Sequence, residues 1–208
     1  MRGLQILTLV FGMFPATIAG AEAQRPMLTV GVVDRVGIGP DTVRRAIDLA
    51  QQVFLAARIP AQFVSCPVVQ SGAYFRIDCP STAGRIDVYL TIMSKPAPGH
   101  KVQPASAGLA LAALSGEIGT RVYVYYGRVS QAAAFGSCTT FLVLGHVMAH
   151  EIGHLLGLRH SSWGIMCPDW SSRVMREMSV AYLLFSPDER QTLRDTIRNG
   201  LKCGRLPG

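Results

Sequence analysis

A chain of 208 residues suits one domain, and a hydrophobic content of 49% gives it a sizeable core and excludes a chain too polar to fold. Twenty Lys and Arg against 13 Asp and Glu leave a formal charge of +7, which bears on solubility and attraction to anions and not on fold. No internal repeat or low-complexity tract is present, and after the first residues no apolar run is long enough for a membrane span.

Arg2 is followed by an apolar run over residues 4–14 and by small residues around Ala19, Ala21 and Ala23. This pattern predicts an export signal over residues 1–23 and a mature single domain over residues 24–208. Residues 27–33 read as a first strand. A helix follows over residues 40–57, with Pro40 at its start and Val43, Ile47, Ala50, Phe54 and Ala57 as its buried stripe. Ile59-Pro60 ends it, and residues 61–65 read as a second strand. Residues 66–79 suit a hairpin-like excursion, and residues 86–92 alternate as a strand does, with Ile86, Val88, Leu90 and Ile92 on one face. Residues 94–106, rich in proline, read as an exposed loop that carries His100, whereas residues 107–113 fit strand or helix equally. Residues 121–126 predict a strand and residues 139–156 a strongly apolar helix. After an irregular segment, residues 186–203 form a helix with a Ser186/Glu189 capping box, a Leu193, Ile197 and Leu201 stripe and Gly204 as a stop. That order predicts an α+β fold, an α/β-like layer with helices covering a sheet.

Export implies an oxidising compartment, secreted or periplasmic. With five cysteines, two bridges and one free thiol are expected, Cys66 with Cys79 and Cys138 with Cys203, leaving Cys167; the alternative is that all five are reduced and buried.

Residues 150–160 read His-Glu-Ile-Gly-His-Leu-Leu-Gly-Leu-Arg-His. On a helix His150 and His154 stack on one face and present two nitrogens to one ion. Glu151, turned about 100° from His150, lies beside that ion. A continuing helix would carry His160 about 240° past His154, so the helix must break, and Gly157 stands where a left-handed turn is needed. Three imidazoles with one position left open mark a catalytic zinc, with Glu151 as the general base.

This stretch resembles the metzincin zinc peptidases, whose long motif is paired with a downstream methionine in a tight turn. Met166 in Gly164-Ile165-Met166-Cys167-Pro168 fits that Met-turn, and His160-Ser161 before it is most similar to the matrixin branch. The tyrosine that often follows the methionine is Cys167 here. The resemblance implies a twisted mixed sheet, an upper helix, an active-site helix, the Met-turn and a C-terminal helix. It implies that an edge strand around Gly108, Leu109 and Ala110 pairs with an extended polypeptide substrate, and that residues 167–185 wall a pocket, with Trp170 and Tyr182 lining it or simply packing. One zinc ion is the expected count, with no acidic cluster or second histidine set in the sequence. With Met27 already opening the first strand, no room for a zinc-blocking propeptide is expected.

The expected activity is peptide-bond hydrolysis by a monomer without a specific nucleic-acid partner. A secreted zinc-containing binding protein and a zinc amidohydrolase acting on cell-wall peptides are the rival readings. His146 reads as a satisfied buried histidine or a cleft residue, and Cys167 as a buried thiol or a fourth ligand. Arg190, Arg194, Arg198 and Lys202 recur every four residues on the last helix, as a solvated face or as an attractor of anions.

Overall fold

Leu28, Val30 and Val32 share one face of the first strand, β1 (Leu28–Asp34), and each is almost wholly buried. The computed structural model describes residues 28–71, 74–81, 84–96, 108–111 and 120–203, with backbone alone at 71, 108–111 and 200–203. Residues 1–23, Met27, His100 and most of the proline-rich loop therefore lie outside the described residues. After β1 come α1 (Pro40–Ala56), β2 (Ala61–Ser65), the hairpin β3 (Val68–Ser71) and β4 (Tyr74–Ile77), β5 (Val88–Met93), β6 (Gly108–Leu111) and β7 (Arg121–Tyr125). Four helices complete the chain: α2 (Tyr126–Gly136), α3 (Thr140–Leu155), α4 (Ser172–Glu177) and α5 (Pro187–Cys203).

The sheet runs β2-β1-β5-β7-β6, with the first four strands parallel and β6 antiparallel at one edge. Register aligns Val30 with Val88 and Leu90 with Val122, so the alternating apolar residues form one continuous face. Helices α1 and α3 cover that face, and their stripes complete the core; every predicted α1 stripe residue is buried. This is the mixed α+β layer that the element order implies.

The two covering helices meet at Gly145. A Cβ there would lie 2.7 Å from the carbonyl oxygen of Ala46 and 3.0 Å from the Leu49 side chain. Backbone cannot yield as a side-chain tip does, so Gly145→Ala should force α1 and α3 apart and destabilise the domain by ~1–3 kcal/mol. A thermal melt should show a midpoint lower by roughly 3–10 °C for a domain of this size. An unchanged midpoint would mean that the helix contact is loose.

The β3–β4 hairpin is closed by a Cys66–Cys79 disulfide, and the Cys66 sulfur would lie 3.0 Å from a Cβ at Gly31. Of the second expected bridge only one partner is described: Cys138 carries a free thiol. Cys138 packs half-buried at the α2–α3 corner, and burial pushes its thiol up. α5 docks near the opposite end of α3, where Phe185 lies against Gly153, and Arg194 donates to the Ala57 carbonyl at 3.0 Å. The Cys203 side chain lies outside the described residues. No helix among the described residues is long and apolar enough to cross a membrane.

Two helices occupy segments expected to be irregular or without a helix. α2 starts directly after β7 with no side-chain cap, and its buried residues are only Val129, Ala133 and Gly136. Packing selects it: the Met175 side chain sits 2.6 Å from where a Gly136 Cβ would stand. α4 is a six-residue helix capped by Ser171, whose Oγ accepts from the Val174 N–H at 3.3 Å. The α5 capping box forms as expected, with Ser186 N–H donating to Glu189 Oε2 at 2.7 Å and Glu189 N–H to Ser186 Oγ at 3.2 Å.

Candidate metal centre

α3 carries His150, Glu151 and His154, and the helical step brings the Nε2 atoms of the two histidines to 3.0 Å. The helix then stops. Gly157 adopts φ +95°, its N–H donates to the His154 carbonyl and the Leu158 N–H donates to Gly153, both at 3.0 Å. These two bonds are those of a Schellman ending. Nothing lies within 4 Å of a Cβ built at Gly157, so backbone dihedral and not space calls for glycine. The reversal carries His160 back, with its Nε2 3.0 Å from that of His154. The three ligand atoms lie within 4.8 Å of one another.

Backbone carbonyls set the tautomers. His150 Nδ1 lies 2.7 Å from the Ile165 oxygen and His154 Nδ1 2.9 Å from the Leu158 oxygen. A carbonyl only accepts, so each Nδ1 carries the proton and each Nε2 turns a lone pair inward. Burial pushes His150 down to about 4, opposed by the Ile165 bond and reinforced by His154 and His160. Burial also lowers His154. The rings of His150 and His154 are thus neutral near pH 7. Their two inward lone pairs, 3.0 Å apart, repel unless a cation lies between them. Tetrahedral zinc at ~2.0–2.1 Å from each nitrogen needs about 3.3 Å between nitrogens. The residues present fit that ion.

Met166 is fully buried. Its turn begins at Gly164 (φ +73°) and closes through the Cys167 N–H to the Gly164 carbonyl at 3.3 Å. The Met166 carbonyl accepts from Ser161 N–H at 3.0 Å, and Met166 Sδ sits 2.8 Å from where a Gly153 Cβ would be. The turn therefore packs on the ligand helix while Ile165 holds His150. Cys167 is half-buried and its thiol donates to the Asp169 carbonyl at 3.5 Å; it stands outside the three-nitrogen group.

Glu151 is 7% exposed, on the same helix as two of the histidines. Tyr125, at the end of β7, lies within its electrostatic reach: burial raises the phenol, Arg128 opposes, and the Glu151 charge adds. The Tyr125 hydroxyl is buried without a hydrogen-bond partner. Trp170 stands edge-on to His150 with ring centres 5.8 Å apart, whereas Tyr182 is 48% exposed and touches the ring of His146 at 6.1 Å. Gly108, Leu109 and Ala110 lie in β6 at the sheet edge, paired with Val124, Tyr123 and Val122.

His146 is a strut. Its Nδ1–H donates to the Leu142 carbonyl at 2.7 Å, and its Nε2 accepts the Leu183 N–H at 3.0 Å, tying α3 to the segment that leads into α5. Burial pushes it down to about 4, opposed by the Leu142 bond. A lowered pKa means that the unfolded chain takes up the proton first, so stability is complete above pH 6.5 and is lost as pH falls toward 4. Between pH 7 and 5 this one group should remove about 2 kcal/mol. Urea unfolding of the metal-free chain at both pH values should show a smaller loss in His146→Leu than in the native sequence; equal losses would contradict the strut.

Sequence reasoning missed the carbonyls of Ile165 and Leu158, which no residue type reveals, and the placement of Tyr125. No protein-family model matches the chain, and no curated protein matches it. Among solved structures, the archaemetzincin of Methanopyrus kandleri superimposes with a TM-score of 0.56 at 15% identity, over 85% of this chain and 98% of that one. Metalloproteinase-II of Bacteroides fragilis gives a TM-score of 0.48 at 14% identity, over 83% of this chain and 54% of that one. The fold is archaemetzincin-like, and it carries three histidines arranged as zinc ligands.

Proposed function

We propose that the chain is an exported zinc endopeptidase of the metzincin type, most similar to matrixins around the motif, that hydrolyses peptide bonds in extended polypeptide. One observation carries this reading: three histidine ring nitrogens converge within 4.8 Å of one another, with the Nδ1 protons of His150 and His154 held by backbone, and the buried Glu151 follows His150 on the same helix. His150, His154 and His160 would hold one zinc. Zinc in such a site supplies Lewis acidity, acidifying water and polarising a carbonyl.

Glu151 takes the proton from the attacking water and returns it to the leaving amine. A binding site alone has no use for such a base. Among the described residues β6 is the outermost strand, and its outer edge would offer main-chain donors and acceptors at Gly108, Leu109 and Ala110, so substrate adds as a strand. Trp170, edge-on to His150, and Tyr182, beside His146, stand on the segment that would wall the pocket for the residue after the scissile bond. Met166 forms the apolar floor. Residues 24–208 make a single catalytic domain, monomeric, with residues 1–23 as the export signal; the Cys66–Cys79 bridge supports an oxidising compartment.

The test uses the purified mature chain with its zinc content measured. It should cleave an unfolded protein, lose that activity to a chelator and regain it with zinc. Stoichiometric zinc without cleavage would favour a binding protein, and cleavage of cell-wall peptide alone would favour an amidohydrolase.

A further inference from the structure

The basic stripe of the last helix does not simply face solvent. Arg190, Arg194 and Arg198 line a cavity of about 580 Å³ between α5 and the end of α1, and Arg58 enters it from the opposite wall. Ile59 and Pro187 contribute apolar surface, and among the described residues no acidic side chain lines the cavity. None of these residues belongs to the three-histidine group.

Four guanidinium groups around one cavity repel each other and raise the local positive potential. Little here offsets it. Arg58 has no ion-pair partner among the described residues. Arg190 Nε reaches only the Ser186 carbonyl of its own helix, at 3.4 Å. Arg198 pairs with Asp195 at 3.0 Å on the surface, a contact worth little against a multivalent anion. Arg194 is held in place, donating to the Ala57 carbonyl at 3.0 Å and to Gln191 Oε1 at 2.7 Å. A fixed guanidinium with donors to spare is preorganised for an oxyanion. Arg58 also adopts φ +59°, just past the α1 C-terminus, where glycine is favoured and a long side chain is strained.

We propose that this cavity binds a compact anion carrying two or more phosphate groups, with Arg58, Arg190, Arg194 and Arg198 as its donors. Arginine matches phosphate oxygens two at a time, and the volume falls in the range of small-ligand sites. Ile59 and Pro187 fit an apolar portion joined to the phosphates. A soluble phosphate ester and a phospholipid headgroup share this chemistry.

The zinc-loaded full chain is titrated calorimetrically with inorganic tripolyphosphate at low salt, and floated with phosphatidylcholine vesicles with and without cardiolipin, whose headgroup carries two phosphates. Arg58→Gly keeps the left-handed turn while removing the cation, so its melting midpoint should hold while tripolyphosphate affinity falls tenfold or more. Arg190→Gln should fall likewise, and Arg173→Gln, on α4, should not. Vesicle binding lost in the same two variants identifies the headgroup as the source; tripolyphosphate binding alone identifies a soluble ester. Because the probe can also withdraw zinc, zinc content is followed; withdrawal would be the same in all variants. Absence of binding to both probes, or equal affinity in Arg58→Gly, Arg190→Gln and the native chain, overturns the site. An equal fall in Arg173→Gln would reduce the effect to net charge and overturn it as well.

Discussion

Glu151→Gln should lower the rate of peptide hydrolysis by about 10²–10⁴-fold while zinc content stays at the native level. The substitution keeps the shape of a residue that is 7% exposed and sits among the fully buried Met148, Ala149 and Ile152 of α3. It removes the negative charge and the capacity to accept a proton, and puts an amide NH2 in place of one carboxylate oxygen. Burying an amide costs less than burying a carboxylate, so the melting midpoint should hold or rise. Initial rates on an unfolded protein, with metal analysis on the same sample, separate the possibilities. Lost zinc in the variant would make Glu151 a ligand, and full activity would remove it from the chemistry.

His150→Ala should abolish zinc-dependent stabilisation. Zinc bound to the native chain at a hundred times its dissociation constant contributes about 2.7 kcal/mol, which is roughly 5–10 °C in midpoint for a domain of this size. The variant loses one of three ligands and also the bond to the Ile165 carbonyl that joins α3 to the Met166 turn. In chelator the variant should lose about 1–3 kcal/mol for the unpaired carbonyl, roughly 2–12 °C in midpoint. Adding zinc should then restore the native sequence and leave the variant where it was. A variant that keeps the zinc increment would show that the remaining groups bind metal without His150.

Much of this was legible before any coordinates, for identifiable reasons. The α1 stripe and the β5 alternation carry periods of 3.6 and 2, which survive any tertiary context. Gly157 was legible because His160 cannot return without a broken helix, and the observed φ of +95° is the dihedral that the break requires. The Ser186/Glu189 box is a local reciprocal pair and needs no tertiary partner. Other features depend on partners far along the chain. α2 buries small residues under Met175, so no strong periodicity marks it. The strand over residues 108–111 was ambiguous because its segment is uniformly small and apolar, and pairing with β7 decides it. Cysteine parity does not say which thiols meet: Cys138 is free, and the Cys203 side chain lies outside the described residues. His146 was read as either buried or in the cleft, and only the Leu183 N–H bond reveals it as a strut.

The central claim is that three imidazoles, and no thiolate, hold one ion with a position left open. Zinc-edge X-ray absorption on the purified chain, with zinc per chain measured on the same sample, tests it most directly. The account predicts one zinc, three imidazole nitrogens and one further light atom at about 2.0–2.1 Å. A sulfur shell near 2.3 Å, or fewer than three imidazoles, would contradict it.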